Sequence, residues 1–250
     1  MKILVATDKP FAAVAVNGIK DVVESAGIEL ALLEKYGEKS NTPGQNSNAV
    51  AELVFGMTVM MARNLYNGTS GTELKGKKLG IHAFGQVGRN VARIAKGFGM
   101  EVFAFDPYCP ASVMEAEGVK PITDINELYS TCQYVSLHIP ATNETKKSIN
   151  YALLKQMPKG AMLINTARKE VINEEELVQI MDERPDFRYV SDITPDNASV
   201  FAEKFTGRYF FTPKKMGAQT AEANINAGIA AAKQSVGFLK EGIDKFKVNK

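Results

Sequence analysis

Residues 79–106, LGIHAFGQVGRNVARIAKGFGMEVFAFD, decide the fold. An apolar run typical of a buried strand leads into the turn AFGQVG at residues 83–88, and an amphipathic helix follows. A second apolar run then ends in Asp106. Strand, glycine turn, helix and strand in this order form the sequence fingerprint of a dinucleotide-binding β-α-β unit.

The residues of this turn each suit one part of a dinucleotide. Gly85 lets the backbone approach the pyrophosphate, and Gly88 lets the helix pack closely on the strand. Gln86 and Val87 begin the helix, where free amide groups favour negative charge. Asp106, about twenty residues further on, suits the adenine ribose hydroxyl groups and would repel a 2′-phosphate. The predicted cofactor is therefore NAD.

One position of the turn departs from the fingerprint. Ala83 stands where the first glycine is usual, and because alanine is small the match is weakened but not removed. The remaining glycines alone would equally suit a plain turn. The flanking strands and Asp106 favour cofactor binding over that simpler interpretation.

The rest of the chain alternates strand and helix patterns, which predicts a doubly wound parallel sheet of the α/β class. Asp124 with Glu127, and Asn173 with Glu176, have the spacing of capping boxes at helix starts. The predicted strands are residues 3–6, 28–33, 79–83, 101–106, 134–139, 161–165, 189–193 and 209–211. The predicted helices are residues 12–25, 47–64, 87–98, a short segment after 124, 151–157, 174–183 and 221–239.

The helix predicted at residues 47–64 is unusually apolar. Its hydrophobic side chains cover more than one face, which indicates burial between lobes or between subunits. Its methionines are interpreted as core packing and not as a cofactor site.

Composition excludes several classes of protein. The 250 residues are 45% hydrophobic and 23% charged, and 30 basic against 28 acidic side chains give a net charge of +2, which argues against nucleic acid as a partner. Cys109 and Cys132 stand apart with no histidine at ligand spacing, so neither a disulfide framework nor a metal site is predicted. The apolar run at residues 49–62 is too short to cross a membrane. We therefore expect a cytoplasmic protein without a membrane segment.

Several blocks of sequence together resemble the D-isomer-specific 2-hydroxyacid dehydrogenase family, and within it the short D-3-phosphoglycerate dehydrogenases that lack a regulatory domain. The resemblance covers most of the chain and is more specific than the glycine turn alone. The matching blocks are NTPGQNSNAVAEL at residues 41–53, residues 73–106, SLHIPATNET at 136–145, LINTARKE at 163–170 and TPKKMGAQTAEANINA at 212–227.

The resemblance implies oxidation of D-3-phosphoglycerate to 3-phosphohydroxypyruvate by hydride transfer to NAD, the first step of serine biosynthesis, in a homodimer. Arg168 matches the family arginine that holds the substrate carboxylate, and a guanidinium group suits a carboxylate through two parallel hydrogen bonds. Without the resemblance, an arginine at a strand end would be interpreted as one half of a surface ion pair.

The proton-accepting position departs from the family. The family usually has a histidine after Thr-Pro and a glutamate upstream, whereas this chain has Lys215, preceded by Lys214. Residues 191–199 contain Asp196 and Asn197 but no glutamate. We expect Lys215 to replace the histidine, which requires a lowered pKa because a free lysine titrates near ~10.4. The alternative is a solvated pair of lysines.

Further cofactor contacts follow from the resemblance alone. His138 matches a position near the nicotinamide and ranks behind Lys215 as the general base, although imidazole titrates near neutrality. His82 is expected in the core, and Asp192 matches an aspartate near the nicotinamide carboxamide. Beyond the turn and Asp106, the implied contacts are His138, Ile139, Pro140, Thr166, Ala167, Asp192, Gly217 and Ala218.

The resemblance also reveals a missing segment. In the family the first lobe continues through further β-α units before the hinge, whereas here Tyr36 is followed almost directly by Asn41. We expect an NAD-binding domain at residues 50–220 and a truncated flavodoxin-like substrate lobe from residues 1–49 and 221–250. A lobe whose first part is near 40 residues seldom folds without borrowed surface.

Two other functions stay open at this point. A scaffold or sensor that has lost catalysis would bind NAD without acting on any 2-hydroxy acid. A dehydrogenase for another D-2-hydroxy acid would turn over its substrate without preferring a phosphate group.

Overall fold

The computed structural model describes residues 2–6, 13–33 and 44–243. The chain divides into two compact units, one from residues 1–49 with 218–250 and the other from residues 50–217. The short junction between Tyr36 and Asn41 and the predicted helix start at residue 12 lie outside the described residues.

The described elements alternate along most of the chain. The strands are β1 (Lys2–Ala6), β2 (Glu29–Leu33), β3 (Lys78–His82), β4 (Glu101–Phe105), β5 (Lys120–Pro121), β6 (Tyr134–Leu137), β7 (Met162–Asn165), β8 (Arg188–Ser191) and β9 (Tyr209–Phe211). The helices are α1 (Ala13–Ser25), α2 (Ser47–Ala62), α3 (Gln86–Gly97), α4 (Ala111–Ala116), α5 (Ile125–Thr131), α6 (Tyr151–Leu154), α7 (Glu174–Glu183), α8 (Ala198–Lys204) and α9 (Ala221–Glu241).

The larger unit is built on a seven-stranded sheet in the order β5-β4-β3-β6-β7-β8-β9. All of its strand pairs are parallel, and Leu79 of β3 lies between Val102 of β4 and Tyr134 of β6. Parallel neighbours require crossover connections, which here contain helices. The predicted α/β class with a doubly wound, Rossmann-like parallel sheet is confirmed.

Two hydrophobic cores cover the two faces of this sheet. On β7, Met162 and Ile164 belong to one cluster and Leu163 belongs to the other, because successive side chains of a strand point to opposite faces. All four residues of β7 are buried, as expected for a central parallel strand covered on both faces.

The smaller unit contains β1 and β2, which pair in parallel from Lys2 opposite Glu29 to Ala6 opposite Leu33. Helices α1 and α9 pack closely, and a Cβ atom on Gly18 would lie 2.8 Å from Ile229 Cδ1. Ile19, Val23, Ile28 and Ala232 form its described hydrophobic cluster. Glycine in α1 thus permits the close helix approach.

Three short elements, α4, α8 and β5, are missing from the sequence prediction. They have 6, 7 and 2 residues, which is too short for a clear periodic pattern. Pro121 in β5 fits its place at the sheet edge, because proline has no N–H group for a further strand.

The predicted end of the long apolar helix is wrong by two residues. Helix α2 ends at Ala62, and Asn64, Leu65 and Tyr66 follow with φ values of 51°, 55° and 56°. This left-handed turn cannot continue a right-handed helix. Arg188 anchors it by donating to the Asn64 carboxamide oxygen at 2.8 Å.

Of the two predicted capping boxes, the first supplies its N-cap side chain and the second does not. Asp124 caps α5 as expected, since its side chain accepts a hydrogen bond from Asn126 N at 2.9 Å. Asn173 makes no side-chain cap on α7, and Glu176 instead accepts from the backbone N–H of Tyr151 at 2.6 Å. Glu176 therefore makes a tertiary contact with α6 in place of the predicted local one.

Candidate active site

The carboxyl ends of β3 and β6 meet where the strand order of the sheet reverses. In open α/β sheets, ligands bind outside the carboxyl ends of the strands at such a point. The glycine turn follows β3, and His138 follows β6, its backbone N–H donating to the carbonyl of His82 at 2.9 Å. The fold therefore places the predicted cofactor turn at the expected binding crevice.

The glycine turn is shaped by one left-handed residue and one close backbone approach. Ala83 has a φ of 81°, in the left-handed region where glycine is usual. A Cβ atom on Gly88 would lie only 2.4 Å from the carbonyl oxygen of Ala83, so only glycine fits there. Gly85 precedes α3 in extended conformation, and a Cβ atom there would meet nothing within 4 Å. The space in front of Gly85 is open.

Asp106 connects the turn to the end of β4. Its Oδ2 accepts from the backbone N–H of Phe84 at 2.8 Å, and its Oδ1 accepts from that of Tyr108 at 2.9 Å. Each carboxylate oxygen can accept a second hydrogen bond, which leaves capacity for two ribose hydroxyl groups.

Three features of the chain fit NAD. Helix α3 begins without an acidic residue in its first turn or a side-chain cap, so its amide groups remain suited to a pyrophosphate. The open space at Gly85 lies directly before that helix start. Thr166, only 6% exposed, has a buried Oγ1 with no hydrogen-bond partner among the described residues. A bound polar molecule would satisfy such a hydroxyl group.

A tight turn after β7 positions the predicted arginine. The buried Asn165 accepts from the backbone N–H of Ala167 at 2.9 Å and donates Nδ2 to the carbonyl of Arg168 at 3.0 Å. Both ends of the asparagine amide are used to fix this turn. The Arg168 backbone is therefore held, while its side chain lies at the exposed carboxyl edge of the sheet.

The two predicted catalytic residues meet at one backbone oxygen. The carbonyl oxygen of Ala167 accepts from Arg168 Nη1 at 2.8 Å and from Lys215 Nζ at 2.9 Å. Residues that are 47 positions apart in sequence thus place their cationic groups around a single acceptor. An anionic molecule of a few atoms can contact both groups.

Lys215 has two more partners. Its Nζ donates to the carbonyl of Thr166 at 3.2 Å and lies 3.4 Å from Oδ1 of Asp192. Burial lowers the pKa of Lys215, the Asp192 carboxylate opposes that shift, and the Arg168 charge adds to the lowering. The resulting pKa lies below that of a free lysine, in the direction that a proton-transfer group at this site needs.

The histidines behave as neutral residues. Burial and the neighbouring His82 lower the pKa of His138 to about 3, and its Nε2 lies 3.0 Å from the hydroxyl of Ser136. Burial lowers the pKa of His82 to about 4, and its Nδ1 lies 3.3 Å from the hydroxyl of Tyr129. A histidine that is deprotonated throughout the physiological range is a weak base, which is consistent with ranking His138 behind Lys215.

Other predicted contacts have varied surroundings. Ile139 is buried, Pro140 is exposed with its carbonyl accepting from Thr145 Oγ1 at 2.5 Å, and the N–H of Gly217 donates to Asp192 Oδ2 at 2.8 Å. Ala218 follows Gly217 as the first residue of the second segment of the smaller unit.

Sequence reasoning missed the partner of Lys215. Asp196, the aspartate considered for that place, instead pairs with Lys169 at 2.5 Å on the surface. The partner is Asp192, which the resemblance assigned to the cofactor. The sequence carries no signal for this pairing, because it depends on how the loops after β8 and β9 converge.

The described residues contain no helix long and apolar enough to span a membrane. Within the same residues, no group of three or more histidine, cysteine, aspartate or glutamate side chains is arranged to hold a metal ion.

The family model for the D-isomer specific 2-hydroxyacid dehydrogenase NAD-binding domain matches residues 48–208. This chain belongs to the D-isomer-specific 2-hydroxyacid dehydrogenase family, whose binding domain takes NAD, the predicted cofactor. The family resemblance seen in the sequence is thereby confirmed.

The chain is similar to D-3-phosphoglycerate dehydrogenase from Methanocaldococcus jannaschii, at 31% identity over 92% of this chain and 49% of that protein. It is also similar to hydroxypyruvate reductase from Thermotoga maritima, at 31% identity over 83% of this chain and 74% of that protein. The chain spans between 36% and 55% of the length of four D-3-phosphoglycerate dehydrogenases that it matches.

Among solved structures, NAD+-bound 3-phosphoglycerate dehydrogenase from Entamoeba histolytica is similar with a TM-score of 0.85 and 40% identity, covering 100% of this chain and 99% of that one. The fold is shared with D-lactate dehydrogenase from Escherichia coli, with a TM-score of 0.73 at 22% identity, covering 97% of this chain and 98% of that one.

Proposed function

We propose that this chain catalyses the NAD-dependent interconversion of D-3-phosphoglycerate and 3-phosphohydroxypyruvate. The observation that carries the proposal is the meeting of Arg168 and Lys215 at the carbonyl oxygen of Ala167, at 2.8 Å and 2.9 Å. The similarity to several D-3-phosphoglycerate dehydrogenases supports the choice of substrate.

The chain's own residues supply binding and proton transfer. A bound NAD would supply the hydride-transfer chemistry at the carbon that carries the hydroxyl group. Arg168 has no carboxylate within ion-pair distance among the described residues, so its guanidinium group remains available for the substrate carboxylate. Neutral Lys215 takes the hydroxyl proton in the oxidation, and its ammonium form returns the proton to the keto oxygen in the reduction.

A second candidate is a reductase for a non-phosphorylated 2-keto acid. The hydroxypyruvate reductase from Thermotoga maritima, of which this chain covers 74%, favours this candidate. Both reactions need the same cation for a carboxylate and the same proton-transfer group. They differ only in the need for a phosphate-binding group, so substrate preference separates them.

The proposal extends to organisation and location. We assign NAD to residues 50–220 and a substrate lobe to residues 1–49 and 221–250, with Gln86, Val87 and Asp106 among the cofactor contacts. We further propose a cytoplasmic protein and, as the family resemblance implies, a homodimer. Light scattering on the eluting protein tests the dimer, for which a single-chain mass of 27.2 kDa is the contradicting result.

The test follows NADH oxidation with 3-phosphohydroxypyruvate, hydroxypyruvate and pyruvate as alternative substrates. We expect the phosphorylated acid to give the highest kcat/KM. Arg168→Met should lower kcat/KM by about 100-fold or more, because two charge-assisted hydrogen bonds are lost. Lys215→Met should lower kcat by about 10²- to 10⁴-fold, the range of general acid–base catalysis.

Lys214→Met is the matched control, since Lys214 is the exposed neighbour whose backbone carbonyl accepts a hydrogen bond from Thr212 Oγ1. If Lys215→Met retained the turnover of Lys214→Met, the lysines would be a solvated pair and the proposed role would be wrong. NAD binding without turnover of any of the three acids would favour the scaffold function instead. An intact mass of 27.2 kDa on the active sample would show that the short junction permits catalysis.

A further inference from the structure

Asp192 is a completely buried carboxylate at the carboxyl end of β8. Removing a carboxylate from water is costly unless partners compensate the charge. Its two oxygens have different partners: Oδ2 accepts from the N–H of Gly217 at 2.8 Å, and Oδ1 lies 3.4 Å from Lys215 Nζ. One carboxylate therefore holds both ends of the three-residue segment from Lys215 to Gly217.

Gly217 fixes how this carboxylate is oriented. A Cβ atom at position 217 would lie 2.7 Å from Asp192 Oδ2 and 3.2 Å from Val50 Cγ2, so the close approach needs glycine. With Oδ2 held by the backbone, Oδ1 is turned toward the lysine. The Lys215 side chain is 44% exposed, so its long stem is not held by burial alone. A fixed anion reduces the freedom of the ammonium group.

We infer that Asp192 is the positioning residue of Lys215, holding its Nζ next to Arg168 at the place of proton transfer. The inference rests on the proposed function and deepens it. Each oxygen of the carboxylate has one protein partner, and the Asp192 side chain is completely buried.

The charges around Lys215 define what Asp192 contributes. Asp192 and Glu170 favour the ammonium form, whereas Arg168 and burial disfavour it. The ammonium group has three N–H donors, and three acceptors surround it: the carbonyls of Thr166 and Ala167 and the Asp192 carboxylate. Removing the one charged acceptor should release the proton at lower pH and loosen the side chain.

The experiment measures the protonation of Lys215 directly, without turnover. The purified protein is labelled with trace acetic anhydride at a series of pH values, and peptide mass spectrometry gives the labelling midpoint of each lysine. Asp192→Asn keeps the side-chain size and can still accept from the N–H of Gly217. We expect its Lys215 midpoint to fall by about one pH unit or more, the scale of a close opposite charge. Lys214 in the same peptide mixture should not move.

Asp196→Asn is the control, because Asp196 pairs with Lys169 and should leave the Lys215 midpoint unchanged. In turnover assays, Asp192→Asn should lower kcat. In the pH–rate profile of keto-acid reduction, the fall in rate on the alkaline side should move to lower pH. The Kd of Asp192→Asn for NAD+, measured by calorimetry, reports separately whether the carboxylate also contacts the cofactor. If Asp192 had only a structural role, an Asp192→Asn protein with an unchanged melting temperature would also keep the Lys215 labelling midpoint unchanged.

Three results would overturn the inference. An unchanged Lys215 midpoint in folded Asp192→Asn would show that the ion pair has no effect. A tenfold weaker Kd for NAD+ with an unchanged midpoint would make Asp192 a cofactor ligand. Failure of both Asp192→Asn and Asp192→Ser to fold would make it a structural residue. Absence of turnover in the unsubstituted protein with a shifted midpoint would instead contradict the proposed function and leave the pairing standing.

Discussion

Replacing Ala83 by glycine is expected to stabilise the protein, although it removes a methyl group. Ala83 has a φ of 81°, and a left-handed backbone costs a residue with a Cβ atom about 1–2 kcal/mol. Glycine avoids that cost but gives the unfolded chain more freedom, which is worth about 0.4–1 kcal/mol. The difference predicts that the free energy of unfolding rises by about 0–1.6 kcal/mol, centred near about 0.8 kcal/mol.

The assay is urea unfolding followed by far-UV circular dichroism, which suits a chain without tryptophan. We expect a higher midpoint urea concentration with an unchanged slope, since the surface exposed on unfolding is nearly the same. The affinity for NAD+ should be equal or higher, because the turn keeps the same backbone path. Saturating NAD+ during unfolding should stabilise both proteins by mass action.

A lower urea midpoint for Ala83→Gly would refute the reasoning. It would mean that the Ala83 methyl group contributes more through packing in the larger unit than the left-handed backbone costs. Ala83 does border one hydrophobic cluster, so the outcome measures which effect dominates. A higher urea midpoint together with weaker NAD+ binding would instead show that the strained backbone serves the cofactor site.

Gly88→Ala should destabilise the protein by about 2 kcal/mol or more, because the new Cβ atom would lie 2.4 Å from a backbone oxygen. Gly97→Ala in the same helix is the control: its Cβ atom meets nothing within 4 Å, so the change should be neutral or stabilising by up to about 1 kcal/mol. The same urea assay measures both. The rate of keto-acid reduction should fall as pH rises through the lowered pKa of Lys215, and the rate of oxidation should rise over the same range, which stopped-flow NADH absorbance checks in both directions. Stability should fall as pH drops from about 6.5 toward 4, because the unfolded chain binds protons that buried His82 and His138 accept only near pKa values of about 4 and 3. His82→Gln should reduce the drop in melting temperature between pH 7 and pH 4.5, and an equal drop in both proteins would contradict that assignment.

The β3-α3-β4 unit was predictable because local and tertiary preferences agree. The predicted and observed boundaries in residues 79–106 differ by one residue, since apolar strands, a helix and turn glycines all indicate the same structure. The left-handed turn at Asn64–Tyr66 was not predictable, because Arg188, 124 positions away, holds Asn64 in place. Asn173 makes no cap hydrogen bond, and Glu176 accepts from Tyr151 of another helix, a tertiary contact that the local spacing does not reveal.

The site was predictable in its residue types and less so in its pairings. Arg168 and Lys215 follow from sequence blocks, and their roles stay predictions that the structure makes testable. Their shared acceptor, the carbonyl of Ala167, is a backbone atom that has no sequence signature. The assignment of Asp192 to Lys215 depends on the convergence of two loops, which only the fold provides.

The local charge of the site connects substrate binding with the direction of the reaction. Arg168 and Lys215 carry two positive charges and the buried Asp192 one negative charge, so these three groups together are cationic while Lys215 is protonated. In reduction, the ammonium form both attracts the anionic keto acid and donates the proton, so binding and chemistry favour the same state. In oxidation, the neutral amine needed as base removes the charge that helps to hold the anionic substrate. Raising the pH should therefore increase kcat and KM together for oxidation, whereas for reduction it should lower kcat and raise KM.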